Sequence, residues 1–323
     1  MPELTEIDGS YGESGGQILR TSLSLSAVTG KPLVIRDIRA KRSNPGLQMQ
    51  HLTCAKAVRS LCRGRLENAE LNSTTLKFEP GKIVGGKYEF NIGTAGSVTL
   101  VAQTLIPILL NASKKSTVRI TGGTHVIKSP GYDYFENLFI PAIRRFGADV
   151  SSRMLRPGYY PKGGGRIEVN VNPSQLTGCT GWEKKEDAKA LIRLSGLPSG
   201  IAVREKKVFV QNGIESISIR EDDALSAGNA VTLWDGFRGA YVPGEKGKRA
   251  EVVAQEAVDF LKKQEEVDIH LADQLLVYAV LAEGKTEYRI AKATNHLHTN
   301  AEIIRRFVPE RRIEIEEEKV AVT

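Results

Sequence analysis

A chain of 323 residues with 41% hydrophobic and 6% aromatic residues exceeds one typical domain and can bury a sizeable core. A formal net charge of +7 and an isoelectric point near 9.2 favour acidic partners such as nucleic acid, a balance that many soluble proteins share. The longest apolar run, 100–110, contains Gln103 and Pro107 and is too short to span a bilayer, and the acidic, polar start is unlike a secretion signal, so a soluble cytoplasmic protein is expected.

From 15 to 29 small and apolar residues fit a helix, with Gly30 as its stop. A β-like run follows at 33–38, then the polar stretch 39–44, and Asn44 before Pro45 reads as a cap opening a second helix to about Cys62. Cys54 and Cys62 fall about two turns apart on that helix and, with Cys179, lack metal-ligand spacing; small buried thiols in a reducing compartment are the expectation. Strands are expected at 74–78 and 87–92, a helix from Ala95-Gly96 to Leu110, a strand at 117–121, a turn at 122–124, and a helix after Ser129-Pro130-Gly131 that ends near Phe146. The strand 166–171 precedes a charged linker at 182–187. Within 181–264 the runs 202–204 and 216–220 read as strands and 249–264 as a helix. A helix then reaches Ala282, a strand occupies 286–290, and Thr299 with Glu302 reads as a capping box for a final helix closed by Pro309, leaving 314–319 as a solvated strand or tail.

One pattern of helix, strand, polar segment and helix thus recurs three times. Its starts, near residues 15, 97 and 272, lie about 82 and 175 residues apart, and the excess of roughly 93 is the size of a small inserted domain. The expected organisation is α+β, with 1–180 and 265–323 forming a large domain of repeats and 181–264 a small insert.

The polar segments lie at equivalent points after a strand, natural places for a shared site. The first holds Arg39, Lys41 and Arg42, with Arg36 nearby and only Asp37 against them, and Arg20 stands on the preceding helix. Guanidinium forks match phosphate oxygens in pairs, whereas a solvated charge run usually mixes signs. The glycine-rich stretch around Gly12, Gly15 and Gly16 opens a helix, where backbone N–H groups favour anions; no Lys-Ser/Thr follows, so it is no Walker loop. There Glu13 either holds a divalent metal or caps the helix. His296, placed just before the Thr299 cap, would face a helix N-terminus that draws phosphate and disfavours imidazolium, leaving the neutral imidazole that attack on phosphorus requires. The bland reading of His296 is a hydrogen-bonded loop histidine; His51 and His270 read as structural or auxiliary.

Four motifs, GESGGQILRTSLSLS at 12–26, IRAKRSNPGLQMQH at 38–51, LADQL at 271–275 and HLHTN at 296–300, are similar to signatures of the RNA 3′-terminal phosphate cyclases. The resemblance runs in order along nearly the whole chain and is weakest in the insert. It implies three units, each of two helices on a four-stranded sheet, forming a large domain with a small α/β insert. It further implies ATP-dependent conversion of an RNA 3′-phosphate to a 2′,3′-cyclic phosphate through histidine–AMP and RNA-pp-A intermediates, with pyrophosphate and AMP released. His296 then falls at the nucleophile and Glu13 at the acidic position that binds Mg2+ or Mn2+. Arg20, Arg39, Arg42 and Gln50 fall at phosphate- and RNA-end-binding positions. Gln103, His270, Leu271, Ala272, Asp273 and Gln274 fall at nucleotide-binding positions, with Asp273 placed to orient the histidine. Ser14 stands where many relatives have glycine, and His298 fills the variable place of HLxTN.

The alternatives are a non-catalytic cyclase-like ribosome-biogenesis factor, which would lack the histidine and arginine cluster, and an enolpyruvyl transferase, which would need no nucleophilic histidine. A pure RNA-binding module is disfavoured by sparse aromatic residues.

Overall fold

The computed structural model describes residues 3–182 and 187–323; residues 183–186, most of the expected charged linker, lie outside the described part. The first sheet is built from β1 (Thr5–Asp8), α1 (Gly16–Thr29), β2 (Leu33–Arg36), α2 (Met49–Cys62), β3 (Arg65–Glu67) and β4 (Leu76–Glu79), with strand order β1-β2-β4-β3. β1 and β2 are parallel and the other pairs antiparallel. α1 ends at Gly30, whose left-handed φ of 72° lets its N–H return to the Ser26 carbonyl. Its serines are buried: Ser24 donates to the Thr104 carbonyl of a neighbouring helix at 2.6 Å, where a small side chain lets the two helices approach, and Ser26 donates to the Lys31 carbonyl just past the helix end at 2.5 Å.

α2 begins at Met49 rather than at Asn44-Pro45. Gly46 is left-handed (φ 75°), and a Cβ there would lie 2.3 Å from the Asn72 carbonyl oxygen, so the helix cannot run through it. Gln48 and His51 form a reciprocal cap instead. Cys54 and Cys62 are both buried on α2, as their spacing predicts, and burial pushes both thiols up.

β5 (Lys87–Asn91), α3 (Val98–Leu110) and β6 (Ser116–Gly122) follow. Next comes a helical run of α4 (Tyr132–Tyr134), a π-turn (Phe135–Phe139) and α5 (Ile140–Arg144), and then β7 (Asp149–Arg156) and β8 (Gly165–Asn172). The second sheet has order β5-β6-β8-β7, again with one parallel pair followed by antiparallel ones.

The next segment comprises β9 (Lys189–Ser195), α6 (Gly200–Gln211), β10 (Ser216–Asp222), β11 (Gly228–Asp235), β12 (Arg238–Pro243) and α7 (Ala250–Leu261), with order β10-β9-β11-β12. The run 202–204, expected as a strand, lies inside α6. Ala202, Glu205, Val208 and Phe209 are buried at helical spacing, which outweighs the short β-like run. This segment has its own hydrophobic cluster, centred on Ile192, Phe209, Val231 and Leu233.

α8 (Ile269–Leu281), β13 (Thr286–Arg289), α9 (Asn295–Phe307), β14 (Ile313–Ile315) and β15 (Lys319–Val322) complete the chain. Among the described residues the third sheet has three strands, β13-β15-β14, where the resemblance implies four; the segment 176–179 runs beside it with a parallel bridge from Thr177 to Glu283 and a bond from the Glu287 N–H to the Cys179 carbonyl, before the chain turns at left-handed Gly181. The stretch 314–319, expected as a solvated strand or tail, takes the strand form: it runs from the end of β14 through a turn into β15, the middle strand, whose Val320 and Val322 are buried. Trp182 belongs to the main core, packed against Phe237 with ring centroids 5.1 Å apart. Among the described residues no helix is long and apolar enough to cross a membrane.

A buried polar cluster joins the main core to the second one. From β9, the Arg193 guanidinium donates to Asp133 at 2.7 Å and to Asp222 at 2.8 Å. Asp133 also pairs with His125 Nε2 at 2.9 Å, and Tyr159 donates to Asp222 at 2.6 Å.

Candidate active site

The N-terminal ends of α1, α3, α8 and α9 surround one open cavity of about 1150 Å³. Each helix start brings the positive end of a dipole to the cavity, although Ser97, Asp268 with Gln264, and Thr294 cap N–H groups at α3, α8 and α9. Five cationic side chains (Arg20, Arg39, Lys41, Arg42 and Lys128) line the cavity against two carboxylates, Glu13 and Asp273. Such a lining is built for an anion with several charges.

His296 is on the wall, but α9 begins at Asn295 with Thr294 as its cap, so the histidine sits in the first helical turn rather than three residues before a cap. Thr294 accepts from the Leu297 N–H at 3.1 Å, which supplies the cap expected of Thr299; that residue is buried inside the helix. His298 is exposed, outside the cavity lining. The two ring nitrogens of His296 face different carboxylates: Nδ1 is 3.7 Å from Asp273 Oδ2, and Nε2 is 3.0 Å from Glu13 Oε2. Asp273 first, and Glu13 with it, raise the imidazole's proton affinity above that of an ordinary histidine, against burial and the nearby Arg20. The helix end alone would lower it; the paired carboxylates reverse that expectation.

Asp273 is fixed from two sides, one of them braced by a third residue. Gln17 Nε2 on α1 donates to its Oδ1, Asn300 Nδ2 on α9 donates to its backbone carbonyl at 2.9 Å, and Thr21 donates to Asn300 Oδ1 at 2.7 Å. The glycine motif makes this junction possible. Gly12 has a φ of 51°, and a Cβ there would lie 2.2 Å from Thr299 Oγ1; at Gly16 a Cβ would meet His51 Nε2 at 2.2 Å. Close approach of backbone to α9 and α2 is therefore the demonstrable reason for these glycines.

The basic loop packs against the same motif. Arg42 approaches Glu13 at 3.7 Å, and Arg42 Nε donates weakly to the Ser14 carbonyl at 3.4 Å. Arg39 is partly a structural residue, since its guanidinium donates to the carbonyls of Asn44 and Gly46, the latter at 2.9 Å. Burial and the adjacent Arg42 lower its proton affinity, and burial does the same for Arg20. Arg20 makes no direct hydrogen bond or ion pair among the described residues, so its fork is available to a ligand. His51 accepts the Gln48 N–H at Nδ1, 3.2 Å away, and burial with Arg20 and Arg39 pushes its pKa down to about 3; it is a neutral capping residue.

Gln50 accepts the Ser97 N–H at 2.7 Å, Gln103 donates to Gln274 at 2.5 Å, and Gln274 donates to the His270 carbonyl at 2.9 Å, linking α2, α3 and α8 across the cavity. Of the residues expected in the site, Leu271 and Ala272 are not at its wall: both are fully buried in the main core. Their helical neighbours His270, Asp273 and Gln274 face the cavity.

Sequence reasoning missed Gln17 and Asn300, although both sit inside recognised motifs, and missed Tyr241 and Pro243, which reach the wall from β12. No local pattern marks the last two. Among the described residues no group of three or more His, Cys, Asp or Glu is placed to hold a metal ion. Glu13 alone fits a weaker role, because Mg2+ is usually held by one or two carboxylates together with substrate phosphates and water.

Residues 11–314 match the family model described as RNA 3′-terminal phosphate cyclase. The chain is 41% identical over 315 residues to the RNA 3′-terminal phosphate cyclase of Archaeoglobus fulgidus, covering 94% of this chain and 96% of that one. It is 42% identical over 324 residues to the protein of that name from Sulfurisphaera tokodaii, covering 94% of each. Among solved structures, the enolpyruvyl transferase NikO from Streptomyces tendae aligns with all of this chain and 48% of its own at a TM-score of 0.43 and 8% identity, too loose to carry any argument. The order of the motifs, the cation-lined cavity and these matches along nearly the whole length lead to one assignment: the chain belongs to the RNA 3′-terminal phosphate cyclase family.

Proposed function

We propose that this protein uses ATP to convert RNA 3′-phosphate ends to 2′,3′-cyclic phosphates, with His296 as the residue that carries AMP. The observation that carries the reading is the placement of His296 in the first turn of α9, on a cavity ringed by helix N-termini, with a different carboxylate at each ring nitrogen. Asp273, 3.7 Å from Nδ1, is placed to favour the tautomer that keeps its proton there, which leaves Nε2 as the attacking nitrogen once its own proton is lost. Transfer of the Nε2 proton to the Glu13 carboxylate, 3.0 Å away, opens the first step: Nε2 bonds to the α-phosphorus of ATP, the bond to the bridging oxygen breaks, and pyrophosphate leaves. An oxygen of the RNA 3′-phosphate then displaces the imidazole and forms RNA-pp-A. The neighbouring 2′-hydroxyl attacks the 3′-phosphorus, loses its proton and expels AMP. Arg20, Arg39 and Arg42 balance charge on the pentacoordinate phosphorus. A divalent ion at Glu13 would neutralise phosphate charge beside the same atoms.

Residues 1–180 and 265–323 are taken as the catalytic body and 181–264 as an inserted unit, a division supported by the second hydrophobic cluster. Incubation with α-labelled ATP tests the mechanism. Label should appear on the protein, resist alkali, hydrolyse in acid and map to His296. His296→Ala should abolish labelling and cyclisation while His298→Ala keeps most of both. An adduct on another residue, or cyclisation without His296, overturns the proposal.

A further inference from the structure

A 3′-phosphate is carried both by an RNA end and by a free nucleoside 3′-phosphate, so telling them apart requires contact with the nucleotide before the last. The cavity has one aromatic side chain suited to that contact. Tyr160 lines its wall and is 74% exposed, and its hydroxyl has no partner among the described residues. The same cavity is lined by Ile127, 54% exposed, and by exposed Lys128, held in a left-handed conformation with φ 57°.

The tyrosine is presented by a fixed backbone. The Gly163 N–H donates to the Tyr159 carbonyl at 2.8 Å, and the Gly158 N–H donates to Thr124 Oγ1 at 2.8 Å. The preceding side chain, Tyr159, is buried and anchored by its hydroxyl to Asp222. The Lys162 N–H donates to Ser226 Oγ at 3.2 Å, tying the loop to the inserted segment. Little conformational freedom is left for a ligand to remove at this ring, apart from its own rotation.

We infer that Tyr160 is a stacking platform for the base of the penultimate RNA nucleotide, with Lys128 on the phosphate that joins it to the terminal nucleotide. The inference rests on the proposed RNA substrate and adds the residue that makes a chain preferable to a mononucleotide. An aromatic face accepts any base, so the platform selects for length rather than sequence. The cation alongside supplies the sequence-independent share of the affinity.

The test compares wild type with Tyr160→Ala, Tyr160→Phe and Lys128→Ala. The ligands are a 3′-phosphorylated decamer, the same decamer with an abasic penultimate position, and a nucleoside 3′-phosphate. Fluorescence anisotropy reads binding and product analysis reads cyclisation. Tyr160→Ala should weaken decamer binding about 5- to 100-fold, Tyr160→Phe should not, and the mononucleotide should lose far less. The abasic decamer should bind wild type as weakly as the intact decamer binds Tyr160→Ala, with no further loss when the two changes are combined. Lys128→Ala should reduce the salt dependence of decamer binding by roughly one phosphate contact. Equal decamer affinity in wild type and Tyr160→Ala, equal losses for decamer and mononucleotide, or a matching loss in adenylylation by ATP alone would overturn the platform. Wild-type protein that binds the decamer but forms no cyclic end would sink the cyclase reading and leave the platform to be judged on binding.

Discussion

Arg193→Ala should loosen the inserted segment and, through it, the candidate active-site cavity. The Arg193 side chain is 13% exposed and joins Asp133, 2% exposed, to Asp222, 7% exposed. Asp133 Oδ1 already lacks a partner, so removing the guanidinium leaves two buried carboxylates without their shared cation. Breaking a buried pair in this way costs about 3–5 kcal/mol. His125 still supports Asp133 and Tyr159 still donates to Asp222, which places the expected loss near the lower end, about 3 kcal/mol. Thermal unfolding should show a Tm several degrees lower. Because Tyr241 and Pro243 reach the cavity from the same inserted sheet, KM for ATP in self-adenylylation should rise as well. Arg193→Lys, which retains the charge without the fork, should fall between the two. An unchanged Tm together with an unchanged KM for ATP would refute the argument, because the bridge would then neither hold the inserted segment nor shape the cavity.

Gly12→Ala combines an unfavourable left-handed φ with a 2.2 Å approach to Thr299 Oγ1, and should cost roughly 1–3 kcal/mol and slow adenylylation. Adding Thr299→Ala should recover part of the loss in Tm, and no recovery would count against the close approach. Arg39→Ala should lower both RNA-end handling and loop stability, because its guanidinium holds two carbonyls, whereas Arg42→Ala should affect phosphate handling with a smaller change in Tm; equal stability losses would overturn that distinction. Glu205 is buried in α6 with one oxygen unpartnered, and burial pushes its pKa from 4.5 up to about 7. The folded state therefore binds this proton more tightly, and the stability it adds below pH 4.5 is lost as pH rises through 7. At about 1.36 kcal/mol per unit the loss above pH 7 is on the order of 3 kcal/mol. Glu205→Gln should raise Tm at pH 8 and change it little at pH 5; parallel Tm profiles would remove the ionisation from the account.

The site was legible where a motif concentrates its chemistry in a few neighbouring residues. His296, Asp273, Gln103 and the arginines of α1 and the following loop could be named from the chain, because each lies in a recognisable run or charge cluster. The surroundings of His296 were not legible. Glu13 and Asp273 are far apart in sequence, and no periodicity says that their carboxylates meet the two ring nitrogens, which reverses the shift expected from a helix end. Local rules failed where tertiary contacts outvoted them. Asn44-Pro45 has the form of a cap, yet Gly46 is pressed against Asn72 and the helix waits until Met49. Thr299 and Glu302 have the form of a capping box, yet Thr294 opens the helix one turn earlier. The run at 202–204 is too short for its composition to decide between strand and helix, and the buried face of α6 decides it.

The bonds from Gln17 to Asp273 and from Thr21 to Asn300 join positions separated by 256 and 279 residues. A ribosome makes the glycine motif first and the histidine motif last, so through most of synthesis α1 waits without the helices that complete its surroundings. Closing so long a loop is slow, and such pairings form late in folding. If the proposed mechanism holds, chemical competence is coupled to completion: a nascent chain that has not yet reached His296 lacks both the proposed nucleophile and the Asn300 amide that holds the Asp273 carbonyl. On that mechanism arrested or truncated chains would not self-adenylylate, and the appearance of self-adenylylation during refolding would serve as a clock for the last long-range docking event.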